Sequence, residues 1–487
     1  MTIEWSGLSP GLLIRLDRSA SQPLRGQLEE TLRETIRGGR LRAGERLPSS
    51  RELARELGIS RGLVQECYGQ LLAEGYLTSR TGSATRVADI SGQQAGDRLA
   101  ASPAATPASA APRPRVSLEP PLIADFQHGV PDLSSFPRTD WAWAVKQACT
   151  QAAAAELGYG DPRGSVVLRE VLAGYLRRVR AAAASPAQMI ISTGFAQGIN
   201  LVLHALARMG GVTCVAFEDP GYGSAKADET VRAALAMGLR VAYVPVDEEG
   251  LVVSALTASG ANAVVVTPAH QSPTGVVLSP ARRQALTDWA RRGGGYVIED
   301  DYDSEFRYDK EPVGALQGLA PEHVFLLGTA SKALAPAVRL GWIQAPASLA
   351  AAVAAEKEMS DRGSCTIDQL ALATLLTTGR YDRHLRRMRI VYAARRAALT
   401  AAFATRVPDV ELTGLAAGFH AVAPLPPGAS EQAVIAEARQ RRVGLHGIGD
   451  YRGNPDSSAP AALVMGFGNV RERAIEPAIA AIADLLS

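Results

Sequence analysis

The sequence predicts two folded parts: a small winged helix-turn-helix at the N-terminus, and an α/β body with a largely parallel central sheet and a smaller α+β lid. Three observations predict them. Residues 1–87 carry three short helical segments and then a strand pair around a glycine turn. Residues 88–120 are mostly Ala, Pro, Ser and Gly with no periodicity, and from 121 apolar strand-like runs alternate with helix-length segments. A chain of 487 residues is too long for one hydrophobic core, so several domain-sized units are expected.

In the head, Leu24, Leu28, Leu32 and Ile36 recur at i, i+4 spacing after Pro23, which predicts an amphipathic helix ended by Gly38-Gly39. Ser49 or Ser50 can cap a second helix carrying Leu53, Ala54 and Leu57, with Gly58 to end it. Ser60 caps a third, whose Leu63, Val64, Tyr68, Leu71 and Leu72 form a buried face. Tyr76 to Val87 reads as two strands around Gly82, which completes the wing.

In such a head the N-terminus of the third helix enters the major groove, placing Ser60, Arg61 and Gln65 at base edges or phosphates. Arg51, Arg80 and the Gly82 turn bracket them as backbone contacts. Residues 1–87 hold 13 arginines against 10 acidic residues, so placement matters more than net charge. A helical dimerisation module with a solvated basic face is the alternative. The stretches LPSSRELARELGISRGLV and YGQLLAEGYLTSRTGSAT resemble the GntR class of bacterial winged-helix regulators over about residues 10–87. Ala84 stands where that class usually has a wing glycine, and Cys67 where it has a small residue.

Residues 88–120 form a flexible tether, long enough to carry one protomer's head across to the other protomer of a dimer. Beyond it MIIST (189–193), VTCVAFED (212–219), RVAYVPV (240–246), NAVVVTP (262–268), GYVIEDD (295–301) and HVFLLGT (323–329) are expected strands. Functional groups are expected at their ends.

The body is organised around GTASKALAPAVRLGW (328–342). The chain has 46 arginines and five lysines, Lys146, Lys226, Lys310, Lys332 and Lys357. A lysine kept inside this turn points to chemistry that a permanently charged guanidinium cannot do, namely Schiff-base formation with an aldehyde such as pyridoxal 5'-phosphate (PLP). Thr329, Ser331 and Arg339 supply hydroxyls and a guanidinium fork suited to a phosphate. A surface lysine in a loop is the plain alternative. Ser192 to Gly198 follows a strand and opens a helix, an arrangement that cradles anions. Tyr222 offers an aromatic face, Asp300 a carboxylate for a pyridinium nitrogen and Tyr302 a phenol for a ring hydroxyl.

This order resembles the fold-type I aminotransferases over about residues 121–487. The resemblance implies cofactor attachment at Lys332, pyridinium pairing by Asp300, ring-hydroxyl contact by Tyr302 and stacking by Tyr222. It assigns phosphate contacts to Phe195 and Ala196 through backbone, and to Thr329, Ser331 and Arg339. Tyr159, in YGDPRG, matches a tyrosine that reaches the partner subunit's phosphate, which implies a homodimer, with a head-to-tail arrangement open. Two positions depart from the pattern. Ser272, in HQSPTG, replaces an asparagine that donates to the ring hydroxyl, and Ala196 stands where relatives often have glutamine. Toward the C-terminus, alanine-rich helices precede the short strands of the lid. Arg452, in DYRG, lies near an arginine that binds a substrate or effector carboxylate in the family.

Together the two parts resemble the MocR subfamily of GntR regulators. The resemblance implies a transcriptional regulator that binds operator DNA and senses PLP, or PLP with an amine or amino acid, in control of vitamin B6 synthesis or amine metabolism. Rivals are a working aminotransferase with an accessory head, and a DNA-binding protein whose body serves only dimerisation. A net charge of +2 excludes a chain that coats nucleic acid nonspecifically. The four dispersed cysteines form no CxxC pair, so no metal site or disulfide framework is expected and a bacterial cytoplasmic location fits. No apolar run is long enough for a membrane span.

Overall fold

In a computed structural model the chain divides into two compact units, Met1–Val116 and Ser117–Ser487. The structure describes residues 16–89 (except 19, 21, 39, 40, 42 and 80–83), 121–208, 211–221, 229–308, 313–453 and 460–487.

The first unit contains α1 (Leu24–Arg37), α2 (Ser50–Leu57) and α3 (Arg61–Ala73), then β1 (Leu77–Thr78) paired antiparallel with β2 (Arg86–Val87). Ser49 is the cap of α2 and forms a reciprocal capping box with Glu52, satisfying two donors at the helix start. Gly58 ends α2 at φ 63°, a left-handed conformation glycine adopts without Cβ strain. Two residues on, the Ser60 hydroxyl accepts from Leu63 N and starts α3. Leu28 and Leu32 of α1, Leu53 of α2, and Val64, Cys67 and Leu71 of α3 close the core with Leu77 and Val87 of the strands. Arg33 reaches from α1 to both oxygens of Glu74 beyond α3, fixing the helix crossing.

The second unit runs β3 (Ala124–Asp125), α4 (Arg138–Gln151), α5 (Val166–Arg180), β4 (Met189–Ser192), α6 (Phe195–Arg208), β5 (Cys214–Asp219), α7 (Glu229–Ala236), β6 (Arg240–Asp247), β7 (Gly250–Leu251) and α8 (Val253–Ala258). It continues with β8 (Ala263–Val266), α9 (Pro280–Gly293), β9 (Tyr296–Asp301), β10 (Val324–Thr329) and β11 (Gly341–Gln344). Apart from β3, these strands form one sheet in the order β4-β11-β10-β9-β8-β5-β6-β7. Neighbours from β10 to β6 pair parallel, whereas β11 runs antiparallel to both β10 and β4. The strand β4 therefore points the same way as β10, and β4, β10, β9, β8 and β5 all end on one edge. The six expected strands are all present. The four-residue β11, absent from the sequence reading, is short and starts with glycine, so its conformation is set by its two neighbours more than by propensity.

The rest of the unit is α10 (Ala350–Asp361), α11 (Thr366–Thr377), α12 (Arg380–Arg406), β12 (His420–Pro424), α13 (Glu431–Gln440), β13 (Val443–Gly444), β14 (Ala462–Gly466) and α14 (Glu472–Leu486). The strands β12 and β14 pair antiparallel, while β13 pairs with β3 from the start of the unit. That pairing draws residues 126–130 between the lid and the sheet edge, where Gly466 N donates to Phe126 O.

Candidate functional site

Parallel strands deliver their C-terminal ends to a single edge, which puts Thr193, Thr267, Tyr302 and Lys332, all far apart in sequence, in one neighbourhood. The β10–β11 hairpin is the centre of it. Thr329 pairs with Gly341, which pairs with Ser192, and Ala330 N donates to Leu340 O to close the turn that carries Lys332. Lys332 Nζ donates to Gly129 O at 2.5 Å. Burial pushes its pKa down, with Asp300 and Asp303 acting in the opposite sense. A lowered pKa is what an amine needs to be a nucleophile.

The segment VIEDDYDSEF carries five acids, and the strand alternation sorts the three on β9. Glu299 accepts from Leu316 N and Gln317 N, and burial holds it up at about 7. Asp301 pairs with Arg180 of α5 at 2.7 Å. Asp300, between them and buried, is directed to the other face and acts electrostatically on Lys332. Asp303 lies 2.7 Å from His270 Nδ1, and His270 Nε2 lies 3.1 Å from Gly414 O. Tyr302 is buried with its hydroxyl 3.3 Å from the same His270 Nδ1.

Beside Lys332 three of the chain's seven histidines meet. The His128 and His420 rings are 4.4 Å apart, and those of His420 and His270 are 4.5 Å apart. Burial pushes His128 down to about 3 and His420 well below the usual histidine value. His270 is raised, burial being outweighed by Asp303. His270, Asp303 and His420 are spaced to share a cation. Since both His270 nitrogens already face partners, the group reads instead as an imidazolium–carboxylate pair under a neutral ring. Tyr451 OH is 3.1 Å from His128 Nδ1, which brings the DYRG segment to this cluster, and Arg452 donates to Pro460 O.

On the other side, Gly194 adopts φ 105° at the entry to α6, and a Cβ there would come 3.4 Å from an Arg339 nitrogen. Glycine leaves the approach to that guanidinium open. Ser331 N donates to Thr329 Oγ1, and Thr329 Oγ1 donates to Ser331 Oγ, so Thr329 shapes the turn as well as facing it. Phe195 is half-buried and Ala196 exposed at the first turn of α6. The Ser272 hydroxyl is buried with no hydrogen-bond partner, and Ser272 N donates to Thr267 Oγ1. Thr267 and Gln271 in turn hold Glu218, whose pKa burial raises to about 7. Tyr159 is exposed, beneath the Arg362 guanidinium. Tyr222, Arg80 and Gly82 lie outside the described residues, as does nearly all of the tether.

The donor set fits PLP. There is an amine of lowered pKa, a buried carboxylate on the same side, an orphaned buried hydroxyl, and an arginine over a glycine-opened helix start. On the head, Arg51, Arg61 and Gln65 are exposed at the starts of α2 and α3, while Ser60 Oγ also serves as the α3 cap. The sequence reading named Ser272 but passed over His128, His270, Asp303, His420, Glu218 and Gln271. The rarity of histidine was the available signal.

Residues 24–87 match the family described as bacterial regulatory proteins, gntR family, and residues 125–446 match aminotransferase class I and II. The HTH-type pyridoxine biosynthesis transcriptional regulator PdxR of Corynebacterium glutamicum is 33% identical over 464 residues, covering 95% of both chains. The chain belongs to the MocR subfamily of GntR regulators. The probable rhizopine catabolism regulatory protein MocR of Rhizobium meliloti is 34% identical, covering 79% of this chain and 78% of that one. Among solved structures, the multiple substrate aminotransferase of Thermococcus profundus superposes with a TM-score of 0.67 at 23% identity, over 75% of this chain and 91% of its own. This MocR-type chain is thus a GntR-headed regulator with an aminotransferase-like body. Among its described residues no helix is long and apolar enough to cross a membrane.

Proposed function

We propose that this MocR-type regulator binds operator DNA through α3 and that PLP held at Lys332, alone or after exchange with an amine or amino acid, sets the affinity of a homodimer for that DNA. The observation that carries the proposal is Lys332 itself, an amine of lowered pKa beside a buried carboxylate. Asp300 would pair with the pyridinium nitrogen, and Tyr302 with Ser272 would meet the ring hydroxyl. Ser331, Thr329, Arg339 and the Phe195–Ala196 backbone would take the phosphate, with Tyr222 against the ring and Tyr159 reaching the partner's site. When bound, the cofactor supplies an aldehyde that captures amines and an electron-withdrawing ring. Lys332 would position the aldehyde and could move a proton from its amine, and Arg452 would read an effector carboxylate.

In the head, Arg61 and Gln65 read base edges while Ser60, Arg51, Arg80 and the Gly82 turn set register on the backbone. The names of two relatives, a pyridoxine biosynthesis regulator and a probable rhizopine catabolism regulator, support a role in vitamin B6 synthesis or amine metabolism. Slow transamination is a second reading, favoured by the intact Lys332 and Asp300. The test is operator binding with and without PLP and amines, run beside a transaminase assay. A coupling of about 1–3 kcal/mol, hence about a 5- to 150-fold change in affinity, is expected. Rapid turnover with DNA binding indifferent to cofactor overturns the regulator mechanism.

A further inference from the structure

Lys357 is wholly buried, in a chain that uses arginine for nearly every cation. A buried ammonium is tolerated only when its charge and all three N–H groups are met. Here they are met by Asp361 Oδ2 at 2.6 Å, Gln197 Oε1 at 2.9 Å and Ser364 Oγ at 2.9 Å. The Gln197 carboxamide is the pivot. Its oxygen also accepts from Thr193 N at 2.9 Å, and its Nε2 donates to Asp361 at 2.7 Å. Thr193 is the residue before Gly194, the glycine that faces Arg339.

The far end of the network is anchored too. Gln369 donates to Ser364 O and accepts from Ser165 N at 2.7 Å. The turn that opens α6 is therefore held through Gln197 and Lys357 to α10 and α11. Since Asp361 cancels the lysine's charge locally, what Lys357 supplies to the turn is geometry rather than attraction.

We infer that Lys357 is a positioning residue for the ligand's phosphate: acting through Gln197, it fixes Thr193 to Phe195 in the conformation that receives the anion. The inference rests on the reading of Lys332 as the PLP site. An arginine could not take its place, because a planar fork cannot direct three donors to three separate elements.

The test compares two aldehydes on the cofactor-free full-length protein, PLP and pyridoxal, which has the same ring and aldehyde without the phosphate. Uptake at Lys332 is read from near-ultraviolet and visible absorbance. Lys357→Met and Gln197→Met should each weaken PLP about ten-fold, the scale of one lost hydrogen bond to a charged group, and leave pyridoxal unchanged. The double variant should lose no more than either alone, because both act on one network. Equal losses for both aldehydes, or no loss for PLP, would overturn the inference and leave the PLP site standing. If Lys357→Met fails to fold, Gln197→Met with its half-buried side chain carries the test. Wild-type protein that takes up neither aldehyde overturns the PLP reading, and this inference with it.

Discussion

The amine of Lys332 is hydrogen bonded to the carbonyl of Gly129, a residue 203 positions earlier in the chain that adopts φ 76°. Gly129 lies in the segment that leaves β3 and passes between the lid and the sheet edge, so the reactive nitrogen is held by the part of the body where its subdomains meet. A Cβ on Gly129 would lie 3.3 Å from Nζ. Chemistry at Lys332 would have to break this bond.

Lys332→Ala is expected to abolish covalent PLP uptake while the protein stays folded, since the side chain is only half-buried and its hydrogen bond is to the Gly129 carbonyl. The measurement is the visible absorbance of the loaded protein with borohydride trapping and peptide mapping. Label recovered on Lys146, Lys226, Lys310 or Lys357 in the variant would refute the assignment.

In the head, Arg61→Ala should weaken operator binding by about 1–3 kcal/mol and relax preference at one base pair, as expected for a guanidinium on a base edge. Arg51→Ala should weaken all sequences alike and reduce the dependence on salt by about one counterion. Titrations against operator and scrambled DNA at several salt concentrations separate the two. Unchanged discrimination in Arg61→Ala would move α3 out of the groove.

The histidine cluster predicts the acid side of the stability profile. His128 and His420 are held neutral by burial, with folded pKa values below the unfolded value of about 6.5, so the unfolded chain binds more protons once the pH drops below that point. Each should cost the body about 1.4 kcal/mol per pH unit below about 6.5. His270 acts oppositely. Its folded pKa is raised, so its contribution is complete below about 6.5 and is lost as pH rises through the folded value. Glu218 and Glu299, raised to about 7, gain stability as pH falls over the same range, so the test is the difference between proteins: in thermal unfolding of the body between pH 7 and 5, His128→Asn should lose less stability on acidification than wild type. Identical pH dependence in the two would mean that the His128 ring is solvated.

Much of this was legible because short polar signals punctuate the chain. Ser49, Gly58 and Ser60 fix the helix-turn-helix through caps and one left-handed glycine, which are local effects that sequence displays directly. Asp300 was legible by its place at a strand end, although only the alternation of Glu299, Asp300 and Asp301 shows why that acid and not its neighbours faces Lys332. The histidine cluster and the Lys357 network were not legible. They join residues up to 323 positions apart, and their identity depends on which strand ends share an edge. The antiparallel β11 was missed for the same reason, since its pairing partners and not its own four residues define it.

Arg452 supplies the last prediction, because it separates recognition of an effector from recognition of the cofactor. It adjoins Tyr451, whose hydroxyl meets His128 one residue from Gly129, and one of its N–H groups is directed to Pro460 O. A guanidinium presents its donors in a planar fork that matches a carboxylate. Arg452→Ala should therefore leave PLP uptake and the response of DNA binding to PLP alone intact, while amino acids lose their added effect. Tyr451→Phe should shift the same response by less, since it removes only the bond to His128. Operator titrations with PLP, with PLP and an amino acid, and with PLP and the corresponding decarboxylated amine provide the readout. The amine, lacking the carboxylate, should act equally on wild type and Arg452→Ala. An amino-acid response that survives in Arg452→Ala would assign carboxylate recognition to another residue.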